Sequence, residues 1–338
     1  MRVFKWDNDN IDDLQLDKVI DSLINGGLVI FPTETVYGLG AIATDSDAVK
    51  KIFAAKGRAG DNPLIVHLSD KSEISKYAYI DNNIEKKLID TFMPGPFTLI
   101  LRKKDNIPSV VSANLDTVGI RIPSNKIAHK ILDYKKTPIA APSANISGKP
   151  SGTNVEDIIS EFQDKVDYII DGSSTDIGLE STVVKVVDGV PVILRPGFIT
   201  KEDIIEVIGQ VKLSEHLFSK AEGVVESPGM KYKHYAPIAP ATLIYIKEQE
   251  EKIKYFTDNV NEDTVIIGGS DLKDIKCKKF LYYGDDTEEI SHNIFRLLRE
   301  ADKYNPKKIL IEGVSKDGLG LAIMNRLIRA TGYNYIER

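Results

Sequence analysis

An α/β protein with two sheets, the first mixed, open and twisted and the second smaller and open, is what this chain predicts. Three observations predict it. Short apolar runs of strand length alternate with helical periodicities along most of the sequence. Asp188-Gly189 between Val-rich runs reads as a hairpin turn, so the first sheet is not purely parallel. The alternation fades over 211–226, crosses a proline-bounded stretch and restarts, and 338 residues exceed what one core usually organises.

Taken in order, a helix is expected over 13–25, where Leu16, Val19, Ile20, Leu23 and Ile24 share a face and Gly26-Gly27 ends it. A buried strand follows at 28–31. Gly38-Leu39-Gly40 reads as a flexible turn, and then come a helix over 47–55 and a strand over 64–68. Further strands are expected at 97–102, 118–122, 138–141, 168–171, 181–187 and 191–194, with a helix capped by Thr200 and running to 207. Beyond the break, 242–246, 264–267, 279–283 and 309–311 are strand-like. Asp286, with Glu289 three residues on, starts a helix over 287–302, and a last helix over 321–331 stops at Gly332. These elements divide the chain into 1–212, a connecting segment 213–237, and 238–338, the last a small open-sheet (Rossmann-like) unit.

Composition excludes several classes. At 42% hydrophobic and 28% charged, the chain is an ordinary globular protein, without a membrane-spanning run or the apolar core of a signal peptide. Cys277 is the only cysteine, which excludes a disulfide framework and a cysteine-built zinc site and fits a reducing cytoplasm. A net charge of −6 argues against a broad basic face for nucleic acid. His67, His129, His216, His234 and His292 are scattered without metal-ligand spacing.

The chemistry-bearing residues lie in loops beside the strands. Lys56-Gly57-Arg58 is either a basic helix end or a phosphate clamp, and Asn62-Pro63 adds an amide just before a strand. The glycines at 38 and 40 do not form a Walker A loop. Arg121, inside an apolar strand, requires an anion: an internal carboxylate or that of a ligand. His67 is a structural histidine or a pocket group. The Pro142-to-Thr153 stretch, with Ser143, Asn145, Ser147 and Ser151, has no nucleophile elbow and reads as a binding loop. Glu180-Ser181-Thr182 and Arg195-Pro196-Gly197 are similar polar strand tips. Lys231, His234 and Tyr235 alternate basic and aromatic side chains in the connecting segment, which is either a tether or a lid that excludes water.

Pro-Thr-Glu-Thr-Val-Tyr-Gly-Leu, Lys-Gly-Arg…Asn-Pro-Leu-Ile-Val-His, Pro-Gly-Pro-Phe-Thr-Leu, Pro-Ser-Ala-Asn-Ile-Ser-Gly, Glu-Ser-Thr-Val-Val, Leu-Arg-Pro-Gly and Ser-Pro-Gly-Met-Lys-Tyr-Lys-His-Tyr-Ala-Pro together resemble the threonylcarbamoyl-AMP synthases of the YrdC/TsaC type in their long two-domain form. The terminal Leu-Ala-Ile-Met-Asn-Arg-Leu-Ile-Arg-Ala matches that form's second domain. Departures are Ala59, where the family commonly has proline, and Pro123-Ser124-Asn125-Lys126 after Arg121.

The resemblance implies a YrdC-like catalytic domain over 1–212, a linker or lid, and a C-terminal domain. It implies a nucleotidyltransferase that joins L-threonine, bicarbonate and ATP, with magnesium accompanying ATP and no dedicated protein metal site. A separate transferase would then carry the threonylcarbamoyl group to tRNA. Lys56 and Arg58 are the implied catalytic cations. Arg58, Asn62, Thr117, Asn145, Thr153, Arg195 and His234 are implied for ATP, and Thr35, His67, Arg121, Ser143 and Ser181 for threonine. Lys231 and Tyr235 are implied for the lid. Two rival readings are a non-catalytic RNA-binding or ribosome-maturation protein on the same concave domain, which the acidic balance disfavours, and a carbamoyl-transfer maturation enzyme, whose zinc modules one cysteine cannot build.

Overall fold

The computed structural model describes residues 1–7, 10–172, 175–219, 225–227 and 235–338. Lys231 and His234 therefore lie outside the described residues. The larger sheet runs, in spatial order, Arg2–Lys5, Tyr168–Asp171, Val29–Phe31, Gly38–Ile42, Ile139–Ala140, Ile65–His67, Thr117–Arg121, Phe97–Lys103, Thr182–Val187, Val190–Arg195 and Lys212–Leu213. Ala78–Tyr79 adds to Phe97–Lys103. Parallel and antiparallel pairs both occur, and the Asp188-Gly189 hairpin joins Thr182–Val187 to Val190–Arg195. The smaller sheet is parallel throughout, in the order Lys279–Tyr282, Thr264–Gly268, Lys308–Glu312, Ala241–Tyr245, Tyr335–Glu337. The fold class expected from the alternation is thus the one observed.

Caps explain where the helices begin. Asp12 accepts from Gln15 N–H at the start of Asp13–Ile24, and Asp286 accepts from Glu288 and Glu289 N–H at the start of Thr287–Asp302. Thr200 and Asp203 form a reciprocal capping box on Lys201–Ile208. The helix Ser46–Lys56 is capped by Asp45 and closed by Gly57 at φ 60°, which leaves Lys56 as its last residue and turns the chain sharply before Arg58.

One expectation fails. Gly38-Leu39-Gly40 is not a turn but part of the Gly38–Ile42 strand, paired with Val29–Phe31. The reason is steric: a Cβ on Gly40 would sit 2.7 Å from the Phe31 ring and 2.7 Å from Ile139 Cγ2, so this strand is glycine-rich because its neighbours fill the space. The strands Arg2–Lys5 and Tyr335–Glu337 and the helices Asn83–Phe92, Lys126–Asp133, Val155–Phe162 and Gln249–Asn259 are additional to the elements expected from the sequence. Gln249–Asn259 buries only Phe256, so it carries almost no apolar stripe to detect.

Apolar side chains pack on both faces of each sheet. The core of the smaller sheet also takes in Val36, Leu179 and Tyr235, which belong to loops and the connecting segment of the larger one. Among the described residues no helix is long and apolar enough to cross a membrane.

Candidate active site

Strand register assembles the first half of a cleft. His67 lies opposite Arg121, Arg121 opposite Thr98, and Gly38 bridges to Ser143. Residues that are far apart in sequence therefore form one row at neighbouring strand ends. Arg121 is buried and one of its amino groups donates to Glu34 Oε1 at 2.7 Å and to Thr35 Oγ1 at 2.9 Å. Thr33 and Thr35 share a hydroxyl contact of 2.9 Å. The anion that Arg121 requires is thus the internal Glu34 carboxylate, while its Nε is buried without a partner. Ser181 Oγ lies 2.8 Å from Thr98 Oγ1.

His67 Nδ1 faces Ile65 O at 3.2 Å. Burial, reinforced by the Arg121 charge, pushes its pKa down to about 3, so the imidazole is neutral at physiological pH. It offers a hydrogen-bonding group without adding to the positive charge of Lys56, Arg58, Arg121 and Arg195 in the cleft.

The second half is cationic. Lys56 is buried, and its ammonium donates to Ser143 O, to Asn145 O at 2.6 Å and to Asn145 Oδ1 at 3.5 Å. Burial, with the nearby Arg58 charge, holds its pKa well below the usual lysine value. Lys56 therefore organises the 143–145 loop, and its reach to a phosphate requires one of those carbonyls to be released. Asn145 is held in turn by its amide donating to Ile146 O and Lys149 O, and by Ser143 Oγ at 2.6 Å. Arg58 donates to Asn62 O and Pro63 O at 3.2 Å each. Arg195 is buried, donates to Ser181 O at 2.9 Å and Ser181 Oγ at 3.1 Å, and has its pKa lowered to about 10 by desolvation.

These groups line one cleft. Lys56, Arg58, Asn145 and Arg195 face it, together with His67, Arg121, Ser143 and Ser181. Tyr235 also lines it, buried rather than exposed as a tether would be, with its ring 4.9 Å from Phe295 and its pKa raised to about 12 by burial. Thr35 is not among the lining residues, although its hydroxyl meets Thr33 and Arg121, which are. Asn62, Thr117 and Thr153 are not among the lining residues. Asn62 is fully buried, and neither of its side-chain amide atoms has a hydrogen-bond partner. Thr117 starts the strand that Arg121 ends, roughly 13 Å away along an extended chain.

Sequence reasoning missed three members. Glu34 and Glu180 lie inside motifs already singled out, yet only the fold shows that they meet Arg121 and Arg326. Tyr37 also lines the cleft, its hydroxyl accepting from Gly172 N–H at 3.2 Å.

A cleft lined by three further cations beside the Arg121 guanidinium, a neutral imidazole and hydroxyls, set in a mixed twisted sheet, is the kind of site that suits a small-molecule-binding enzyme with an anionic ligand. Residues 21–197 match the Sua5/YciO/YrdC family model, described as telomere recombination. Residues 199–332 match the threonylcarbamoyl-AMP synthase C-terminal domain. The chain is 44% identical over 318 residues to the threonylcarbamoyl-AMP synthase of Pyrococcus abyssi, covering 92% of each chain. It is 40% identical to that of Bacillus subtilis over the whole of both. The crystal structure of P. abyssi Sua5 complexed with L-threonine matches with a TM-score of 0.92 at 40% identity, covering 100% of this chain and 99% of that one. The chain belongs to the threonylcarbamoyl-AMP synthase family, in the form that carries both domains, and is an enzyme of the nucleotidyltransferase type.

Proposed function

We propose that the protein condenses L-threonine, bicarbonate and ATP into threonylcarbamoyl-adenylate and pyrophosphate, and so serves threonylcarbamoyladenosine modification of tRNA. The observation that carries the reading is the single cleft lined at once by Lys56, Arg58 and Arg195 and by His67, Arg121, Ser143 and Ser181. The relative solved with L-threonine supports the amino-acid half.

In this reading the threonine amine takes up CO₂ to form a carbamate, losing a proton. A carbamate oxygen then attacks the α-phosphorus, forming a new P–O bond as the bond to pyrophosphate breaks. Negative charge grows on the phosphates, so fixed cations serve better than a covalent nucleophile. Arg58 and Arg195 face the phosphates, and Lys56 holds the Ser143–Asn145 loop against them. Asn62, Thr117, Asn145 and Thr153 are assigned to the nucleotide, with Asn62's unmatched buried amide supporting its place. Arg121 Nε takes the threonine carboxylate, and Thr35, His67, Ser143 and Ser181 serve its amine and hydroxyl. Tyr235 closes the cleft and keeps water from the mixed anhydride. Holding carbamate and α-phosphate together supplies part of the rate by orientation alone.

Among the described residues no group of three or more His, Cys, Asp or Glu side chains converges on a point. Glu180, the carboxylate in the wall, is already held by Ser151 and Arg326. These described residues do not fit a protein-held metal. Magnesium that arrives with ATP takes phosphate and water ligands.

The test is incubation with ATP, labelled bicarbonate and a panel of amino acids. The reading expects a labelled nucleotide and pyrophosphate that appear only with threonine; pyrophosphate release indifferent to the amino acid would overturn it.

A further inference from the structure

We propose that Arg326, carried on the Gly320–Ala330 helix of the second sheet, is a positioning residue of the nucleotide cleft: it neutralises Glu180 in the wall and thereby keeps Arg195 and the Ser147–Gly148 loop set for the phosphates. This rests on the reading of the cleft as a nucleotide site and gives the C-terminal domain a part in it.

Arg326 is fully buried. Its Nε donates to Glu180 Oε2 at 2.7 Å, one amino group donates to Asn325 Oδ1 at 2.8 Å, and the other is buried without a hydrogen-bond partner. The guanidinium lies 5.8 Å from the Tyr235 ring centroid. The second Glu180 oxygen accepts from Ser151 Oγ at 2.8 Å. Ser151 belongs to the stretch whose Ser147 and Gly148 line the cleft. Arg326, Glu180 and Ser151 are therefore a continuous chain of contacts from the second sheet to the phosphate wall.

Other contacts from the same side hold the same stretches. Arg299, on the Thr287–Asp302 helix, donates to Pro150 O and at 2.8 Å to Glu161 Oε1, while Glu161 Oε2 accepts from Ile146 N–H at 2.9 Å. Ala236 N–H donates to Gly148 O at 2.9 Å. Ser291 and His292 of that helix contact Ile177 O and Asp176 O, shortly before Glu180.

Charge decides the role. Glu180 is a carboxylate beside a site for polyphosphate, which is repulsive unless it is matched. The charged or titratable groups facing it are Arg326, Arg195 from its strand, Lys56 from its helix end and Tyr235 from the connecting segment. Desolvation raises the Glu180 pKa, but Arg326 and then Arg195 outweigh it and hold it at about 2. Without Arg326 the next compensating charge acting on Glu180 is Arg195, which in this structure donates to Ser181. Arg195 would turn toward Glu180, and the carboxylate would face the phosphates.

The test uses the full chain and a non-hydrolysable ATP analogue, with binding measured from pH 5.5 to 8 beside thermal unfolding. Arg326→Gln is expected to weaken analogue binding about tenfold at pH 8, the size of one unmatched charge at partial screening. Binding should then recover on acidification, because protonation removes the Glu180 charge, whereas the parent shows no such recovery. Glu180→Gln/Arg326→Gln, which deletes both charges, should return affinity to within about threefold of the parent and flatten the profile. A folded Arg326→Gln variant with the parent's affinity and profile overturns the proposal, and so does a double variant as weak as the single. If Arg326→Gln does not fold, the double variant decides alone: parent-like affinity supports the charge-matching role and weak, pH-independent binding overturns it. Failure of the parent itself to bind the analogue would instead overturn the nucleotide reading on which this one rests.

Discussion

Glu34 Oε1 lies 2.7 Å from an Arg121 amino group, with both side chains buried beneath the cleft. The second Glu34 oxygen accepts from Ser124 N–H at 3.2 Å, so the carboxylate is held by the end of the Thr117–Arg121 strand and by the loop that follows it. A buried pair of this kind orients more than it stabilises: it fixes a guanidinium that lines the cleft and whose Nε is buried without a hydrogen-bond partner.

Breaking that pair from the acid side leaves a buried, uncompensated guanidinium. Glu34→Gln should therefore cost about 3 kcal/mol in urea unfolding, within the range for such losses. It should also raise the apparent KM for threonine far more than that for ATP. Equal changes in the two constants would separate Glu34 from the amino-acid side.

His67 governs part of the acid limb of stability. Its pKa is about 3 in the folded chain, against roughly 6.5 once unfolded, so the unfolded chain binds more protons between these values. Stability is complete above about 6.5 and falls as pH drops through that window. In His67→Gln the loss of Tm between pH 6.5 and 4.5 should be visibly shallower than in the parent, and parallel Tm curves would exclude the histidine as the cause.

Gly40 tests the strand that replaced an expected turn. A methyl group there meets Phe31 and Ile139 at 2.7 Å each. Gly40→Ala should lower stability by about 1–3 kcal/mol, the usual range for overpacking, in denaturant titration. A neutral result would mean that the strand pair has room to shift.

Phe295 carries the ring against which Tyr235 rests, at 4.9 Å between centroids. Truncation to alanine in this core should cost about 3–5 kcal/mol, so Phe295→Leu is the milder probe. It should leave the chain folded and raise the ATP KM severalfold by loosening Tyr235. An unchanged KM in a folded variant would show that Tyr235 keeps its place without the stack.

Much of the scaffold was legible because period and caps are local. The Thr287–Asp302 helix and the Tyr168–Asp171 strand fall where apolar spacing put them. Gly38–Ile42 was misread because a strand made glycine-rich by its neighbours looks like a turn when those neighbours are not known. Lys56 reads locally as either a basic helix end or part of a phosphate clamp, and no local pattern shows that three acceptors of a loop almost ninety residues away hold its ammonium. The Glu180–Arg326 pair, 146 positions apart, left no local signal at all.

By itself, the order of residues determined the two-sheet α/β class, the motif loops and the types of group that line the cleft, since these depend on neighbours within a few positions. Tertiary structure decided which charges remain available. Only strand register set Arg121 against Glu34, and only the packing of the second core against the first brought Arg326 to Glu180 and Tyr235 into the wall. Burial then did what no local pattern encodes: it made His67 neutral, kept Glu180 ionised and fixed the direction in which each charge points.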